Sequence, residues 1–429
     1  MKTIHLQTNS PQILTFIAVF LLMTSNFKSH AFFDFQQQLN SYKAFKGTVY
    51  DAQTKTPLTF ADISVIDTNI STITNTEGEF LLKIPDNLLN ATVSFSFLGY
   101  SEQKIKISDL TNHPKIHLQP NVTSLAEVNL TAPESALSLV EATLKRKGEN
   151  YINEQKIMTG FYRETIKKRN KNASLSEAVV EIYKQSYQSR KGDKVRLIKA
   201  RKNTDYTKLD TIALKLQGGP FSTLYVDMIK YNQFIFNEDN LSNYDFSFEN
   251  STQIDNRKVY VVNFKQKPQI QSPLYFGKLY IDTENYALIS AIYNLNVSDA
   301  EAASKLFIKK KPNKVRVLPT EAAYRVDYKT QNGKWHYRYS NIQLAFKVNW
   351  KGKLFNSNYT LNSEMAITDW QDNNSKVLSY QESFKPSMIL SDEASGFSDP
   401  QFWGEYNIIE PEKSIESAIK KINKQLAKN

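Results

Sequence analysis

Between residues 44 and 118 apolar and polar positions alternate in short runs. Ala61, Ile63 and Val65 are separated by Asp62 and Ser64, and the same spacing recurs at Phe80, Leu82 and Ile84 and at Val93, Phe95 and Phe97. A period of two places one face of a strand in a core and the other toward a more polar surrounding. Residues 45–49, 103–107 and 116–118 bring the expected number of short strands to about seven. Turns lie at 51–57 and at 75–78, where Gly78 can take a positive φ. The pattern predicts a small β-sandwich whose core takes in Ile63, Phe80 and Phe95.

The period then changes twice. Leu137, Val140 and Leu144 are spaced as on a helix that Pro133 and Glu134 suit at the start and Gly148 at the end. Longer runs follow at 158–168, 175–187, 194–202, 257–265, 275–282, 286–296, 324–330, 334–349, 356–370 and 376–382, read as strands. Asn332-Gly333 is a strong hairpin signal between two of them. Long strands in succession with few helices predict a curved antiparallel sheet or half-barrel.

One stretch breaks this run. Gly218-Gly219-Pro220 interrupts the strands, and residues 218–250 form an aromatic-rich insertion containing Leu224, Tyr225, Met228, Phe234 and Phe236. Two readings of it stand: a plug that fills the open side of the sheet, or a lid over an apolar cavity that takes an acyl chain or a partner's hydrophobic segment. Near the end, Pro411 and Glu412 open an expected helix with Ile415, Ile419, Ile422 and Leu426 along one stripe.

The organisation expected is therefore a leader at 1–31, a sandwich at 44–119, and a linker with a helix at 120–157. A curved sheet at 158–385 carries the insertion, and the closing segment is 386–429. The leader reading rests on Lys2, the apolar run 13–23 and the small residues Ser29 and Ala31 around His30. It predicts export to the periplasm or to the periphery of an outer membrane.

Composition narrows the chemistry. The 429 residues include no cysteine, which excludes disulfides, thiolate metal sites and a cysteine nucleophile. Net charge is +11, which suits anionic surfaces as well as a simply solvated exterior. Beyond the leader the histidines are His113, His117 and His336. The first two flank Pro114 and cannot form a helical metal pair, while His336 is expected on the wetter face of its strand. Nucleophile-elbow, phosphate-loop and dinucleotide-binding motifs are absent from the sequence. Asp282 and Glu284 share a strand face without forming a recognisable catalytic pair.

Gly47-Thr48-Val49, Thr56-Pro57-Leu58, Ala61 to Val65, Thr74 to Phe80 and Phe97-Leu98-Gly99-Tyr100 follow one another in an order that resembles the carboxypeptidase regulatory-like domain. That resemblance implies a transthyretin-like sandwich, a non-catalytic accessory role and a Bacteroidetes envelope protein. The run from Tyr275 to Ile289 is similar to a strand-turn-strand of periplasmic lipoprotein-carrier-like half-barrels. The combined expectation is a non-enzymatic envelope binding protein without cofactor. Its partner would be a lipid or acyl chain, or another envelope protein, and not nucleic acid. Membrane contact would be peripheral at most. The alternative is a structural or assembly module acting through protein contacts.

Overall fold

A computed structural model describes residues 41–121, 133–169, 171–204, 218–236, 240–254, 257–308, 313–352, 354–373, 377–396 and 402–413. The expected leader and the expected helix after Glu412 lie outside these residues, Lys413 excepted.

The alternating N-terminal segment forms seven strands: β1 (Tyr42–Asp51), β2 (Asp62–Val65), β3 (Ser71–Ile73), β4 (Glu79–Pro85), β5 (Thr92–Ser96), β6 (Gln103–Lys106) and β7 (Lys115–Leu118). They pair as a three-stranded sheet, β4-β1-β7, and a four-stranded sheet, β3-β2-β5-β6. Phe45, Val49, Ile63, Phe80, Leu82, Val93 and Phe95 are buried between the two. The rings of Phe80 and Phe95 meet edge to face with centroids 5.7 Å apart, an arrangement favoured by the ring quadrupoles.

Helix α1 (Ala136–Lys145) follows. Ser135 and Ser138 cap it reciprocally, each hydroxyl accepting the other residue's backbone N–H. A one-turn helix α2 (Lys147–Asn150) leads into β8 (Lys156–Lys168), β9 (Lys171–Lys184) and β10 (Lys194–Thr204). After α3 (Pro220–Leu224) come β11 (Tyr244–Ile254), β12 (Arg257–Gln266), β13 (Tyr275–Asp282) and β14 (Leu288–Leu295). Helix α4 (Ala300–Phe307) precedes β15 (Val315–Gln331), β16 (Lys334–Trp350) and β17 (Ser357–Asp372). Helix α5 (Leu390–Glu393) and β18 (Ser395–Gly396) complete the described elements.

These strands form one open sheet in the order β11-β12-β13-β14-β15-β16-β17-β8-β9-β10-β18. Only the short β18 runs parallel to its neighbour. The sheet curves enough that Met158 and Val180, from β8 and β9, share a buried cluster with Val262 and Leu279, from β12 and β13. The fold class is thus mainly β: a sandwich followed by a curved, unclosed antiparallel sheet with a few flanking helices.

Several boundaries differ from the sequence expectation for identifiable reasons. Residues 244–250, assigned above to the insertion, are the start of edge strand β11, so the insertion ends at 243. Its alternating Tyr244, Phe246 and Phe248 carry a strand period that the surrounding aromatic density hides. β15 begins at Val315 rather than 324, because Pro319 sits beside a bulge opposite Phe346 and Ala345 and interrupts the ladder without ending it. The expected strand at 376–382 is a loop over its described residues 377–382. Asn332 and Gly333 both take positive φ, 51° and 75°, as a type I′ hairpin turn requires.

Candidate functional site

The two faces of the large sheet are covered differently. On the inner face the insertion folds down into the core. Leu224, Met228 and Phe236 are buried, Tyr225 is half-buried and Phe234 is exposed. Phe236 packs edge to face against Tyr244 and Phe264 of the sheet, and Tyr225 touches the rings of Phe221, Tyr231 and Phe234. The predicted ligand or lid residues therefore sit together, four of the five packed on their own sheet.

A buried ion pair fixes the insertion there. The Lys184 ammonium of β9 lies 2.7 Å from Asp227 Oδ2 in the insertion and 2.9 Å from Asp193 Oδ2, with all three side chains fully buried. Tyr187 and Tyr328 donate their hydroxyls to the two oxygens of Asp227, at 2.9 and 2.8 Å. Asp193 accepts from the Gln185 backbone N–H, and its own N–H donates to the Tyr231 hydroxyl. Burial alone would lower the Lys184 pKa, but the two carboxylates outweigh it and hold the ammonium charged. Every charge in this knot is answered by a partner.

The outer face carries the sandwich and a strap of chain at 402–412. Asn407 exchanges two hydrogen bonds with the Lys83 backbone of β4. Thr72 and Asn75 of the sandwich donate to the carbonyls of Ile408 and Glu410, and Arg163 of β8 donates to the Ile409 carbonyl from the sheet side. Ile408, Ile409 and Trp403 join Ile73 of the sandwich and Phe161 and Val179 of the sheet in one apolar cluster.

Beside this seam the sandwich and the β15–β16 hairpin do not meet closely. Three adjoining hollows of about 460, 150 and 60 Å³ lie between them, and Lys329 of β15 lines all three. Asp62 of β2 spans the gap. Its carboxylate lies 2.6 Å from Lys329 Nζ and 2.7 Å from Arg338 Nη2, and Ser64 Oγ bonds the same lysine. Arg338 reaches this side because it is the extra residue of a β-bulge, falling between Tyr337 opposite Tyr328 and Tyr339 opposite Asp327. Burial raises the Asp62 pKa, but Arg338 and Lys329 outweigh it and hold the carboxyl well below its usual range.

Around the largest hollow, polar atoms are left over. His336 Nδ1, Arg338 Nη1 and Asn69 Oδ1 are buried and lack a hydrogen-bond partner, and all three residues line that hollow with Trp370 and Asn332. Burial, then the charges of Arg338 and Lys329, push the His336 pKa down to about 3. The imidazole is therefore neutral at neutral pH and serves as a hydrogen-bonding group. This corrects the expectation that His336 occupies a wet face: it is 4% exposed, because the sandwich covers that side of the hairpin.

Other expectations fall differently. Asp282 closes a turn, accepting the backbone N–H groups of Glu284 and Asn285, and pairs with Arg257. Glu284 points to solvent. Among the described residues, no group of three or more His, Asp or Glu side chains gathers as metal ligands would. No described helix is long and apolar enough to cross a membrane. The sequence reading missed Asp62, Lys329 and Arg338. The one available signal was charge at the polar positions of strands that are buried on both faces.

No curated protein matches the chain. Among solved structures it is similar to a DUF1329 family protein from Desulfovibrio piger, with 8% identity, TM-score 0.24, and coverage of 57% of this chain and 96% of the other. It is similar to a LolA superfamily protein from Nitrosomonas europaea, with 8% identity, TM-score 0.20, and coverage of 60% and 100%. It is also similar to lipovitellin, with 8% identity, TM-score 0.26, and coverage of 53% and 26%. Scores this low transfer neither ligand nor activity. The sequence itself is more informative at one end: residues 45–130, which include most of the sandwich that walls the cleft, match the family model of the CarboxypepD_reg-like domain.

Proposed function

We propose that the protein is a non-catalytic binding protein of the cell envelope, with its ligand site in the cleft between the sandwich and the β15–β16 hairpin. The carrying observation is the set of three buried, unpartnered polar atoms beside one hollow. Each unsatisfied buried group costs about 1–3 kcal/mol, so a ligand that supplies the missing partners recovers that energy on binding. The surrounding hydroxyl and amide side chains and the Trp370 ring suit a polar ligand, such as a short glycan or an extended peptide segment.

Native mass spectrometry of the protein purified from its envelope tests this reading. The expected result is a bound polar species that is absent from Trp370→Ala. A bound acyl lipid, retained by Trp370→Ala and lost when residues 222–243 are replaced by a short Gly-Ser bridge, would instead place the site on the inner face.

One observation favours the alternative of an assembly module: the inner face is filled by the chain's own side chains. Protein purified empty, together with a stable co-purifying partner, would support that role.

A further inference from the structure

At one end of the large sheet three segments meet. The turn from β8 to β9 lies beside the start of β17, where Arg169 donates its N–H to the Asn358 carbonyl and its guanidinium to the Asn356 carbonyl. The start of β15 lies beside the end of β16, with Val315 opposite Trp350 and the Lys351 N–H donating to the Lys314 carbonyl. The described residues among 166–174, 313–318 and 346–360 hold eight lysines and arginines and no carboxylate, while Glu301 of α4 pairs with Arg316 and Glu412 lies 3.6 Å from Lys167. Among the described cations, Arg169, Lys171, Lys314, Arg316, Lys347 and Lys351 are exposed.

Within this basic end the β16–β17 connection projects two large apolar side chains into water. Leu354 is 95% exposed and Phe355 78%, and both lie beyond the last paired residues, Val348 and Ser357. Leu306 of the neighbouring α4 is also largely exposed.

We propose that this end of the sheet docks on an anionic lipid bilayer, with Leu354 and Phe355 entering the headgroup–acyl boundary and the surrounding cations resting on lipid phosphates. Charge complementarity identifies the occupant. A rim in which exposed cations outnumber the carboxylates paired with them is attracted to an anionic membrane surface, and apolar side chains at its centre convert attraction into shallow insertion. A stable protein interface usually needs about 800 Å² per partner with an apolar centre, which a two-residue projecting tip does not supply. This inference is independent of what the cleft binds.

The absence of cysteine from the chain makes single-site labelling clean. Leu354→Cys and, as a control on an exposed loop of the sandwich, Asn112→Cys are each labelled in the full chain with an environment-sensitive fluorophore. They are mixed with phosphatidylcholine vesicles, with or without roughly one-third phosphatidylglycerol. The expected result is an emission increase at 354, not at 112, on the anionic vesicles only, and its loss in about 0.5 M salt. In sedimentation, Leu354→Ser with Phe355→Ser should lower anionic-vesicle binding at least about tenfold while leaving the melting temperature unchanged. Unchanged emission at 354, or equal vesicle binding by the double variant and the parent, would overturn the proposal. So would salt-sensitive capture of an acidic protein without vesicle binding.

Discussion

The inner and outer faces of the same sheet solve burial in opposite ways. Inside, the insertion brings aromatic and aliphatic side chains onto the strands and carries one carboxylate, Asp227, to the buried ammonium of Lys184, which Asp193 also meets. Outside, the sandwich is held by a polar seam and an apolar cluster, and beside them, against the β15–β16 hairpin, it leaves a hollow of about 460 Å³ with unanswered hydrogen-bonding atoms. Both faces contain buried charge. The charges of the Lys184 knot are met within the chain, whereas polar atoms beside the outer hollow are left without partners.

The largest test of that contrast is Asp227→Ala. It removes one of the two carboxylates on the buried Lys184 ammonium and the acceptor of the Tyr187 and Tyr328 hydroxyls, and should cost about 3–5 kcal/mol in denaturant unfolding. A loss below about 1 kcal/mol would show that the insertion is not clamped and revive the lid.

Next is Glu164, buried on the inner face beside the Tyr162 hydroxyl, with a pKa pushed up to about 7 by burial. Because the folded value lies above the ordinary one, its stabilising contribution is fully present below about pH 4.5 and is lost as pH rises through 7. Glu164→Gln should flatten the stability profile over that window by about 3 kcal/mol. An unchanged profile would show that this part of the inner face is wetter than its burial implies.

On the outer face Asp62→Asn should cost less, about 1–2 kcal/mol, because Lys329 remains partly hydrated. A cost equal to that of Asp227→Ala would erase the distinction between the faces. The smallest effect belongs to Trp370→Ala. This half-buried residue should change stability by about 1 kcal/mol or less while removing the ligand proposed for the cleft.

Much of the fold was legible in the chain because period-two alternation is a local property. The sandwich core residues Ile63, Phe80 and Phe95 are buried as the alternation requires, and β13 has the limits read from its sequence. Pro319 shortened the reading of β15, since a bulge that tolerates proline is visible only with the partner strand in place. The cleft was scarcely legible. Asp62 and Lys329 are 267 residues apart, and nothing local to either indicates that they meet. Asp62 occupies the polar phase of its strand, and the same alternation would suit water or a second domain equally well.

The strap at 402–412 has a consequence for the order in which the molecule is made. A chain emerging from its N-terminus can close the sandwich early, since all seven strands lie before residue 119. The sheet cannot follow suit. β8 pairs with β17, and Arg163 next to β17 reaches Ile409 at the far end of the chain. Until those segments arrive, one edge of β8 has no partner and is exposed to mispairing with other strands. Contacts across some 250 residues are slow to form. The seam, and with it the hollow beside Lys329, is therefore among the last parts of the protein to take shape.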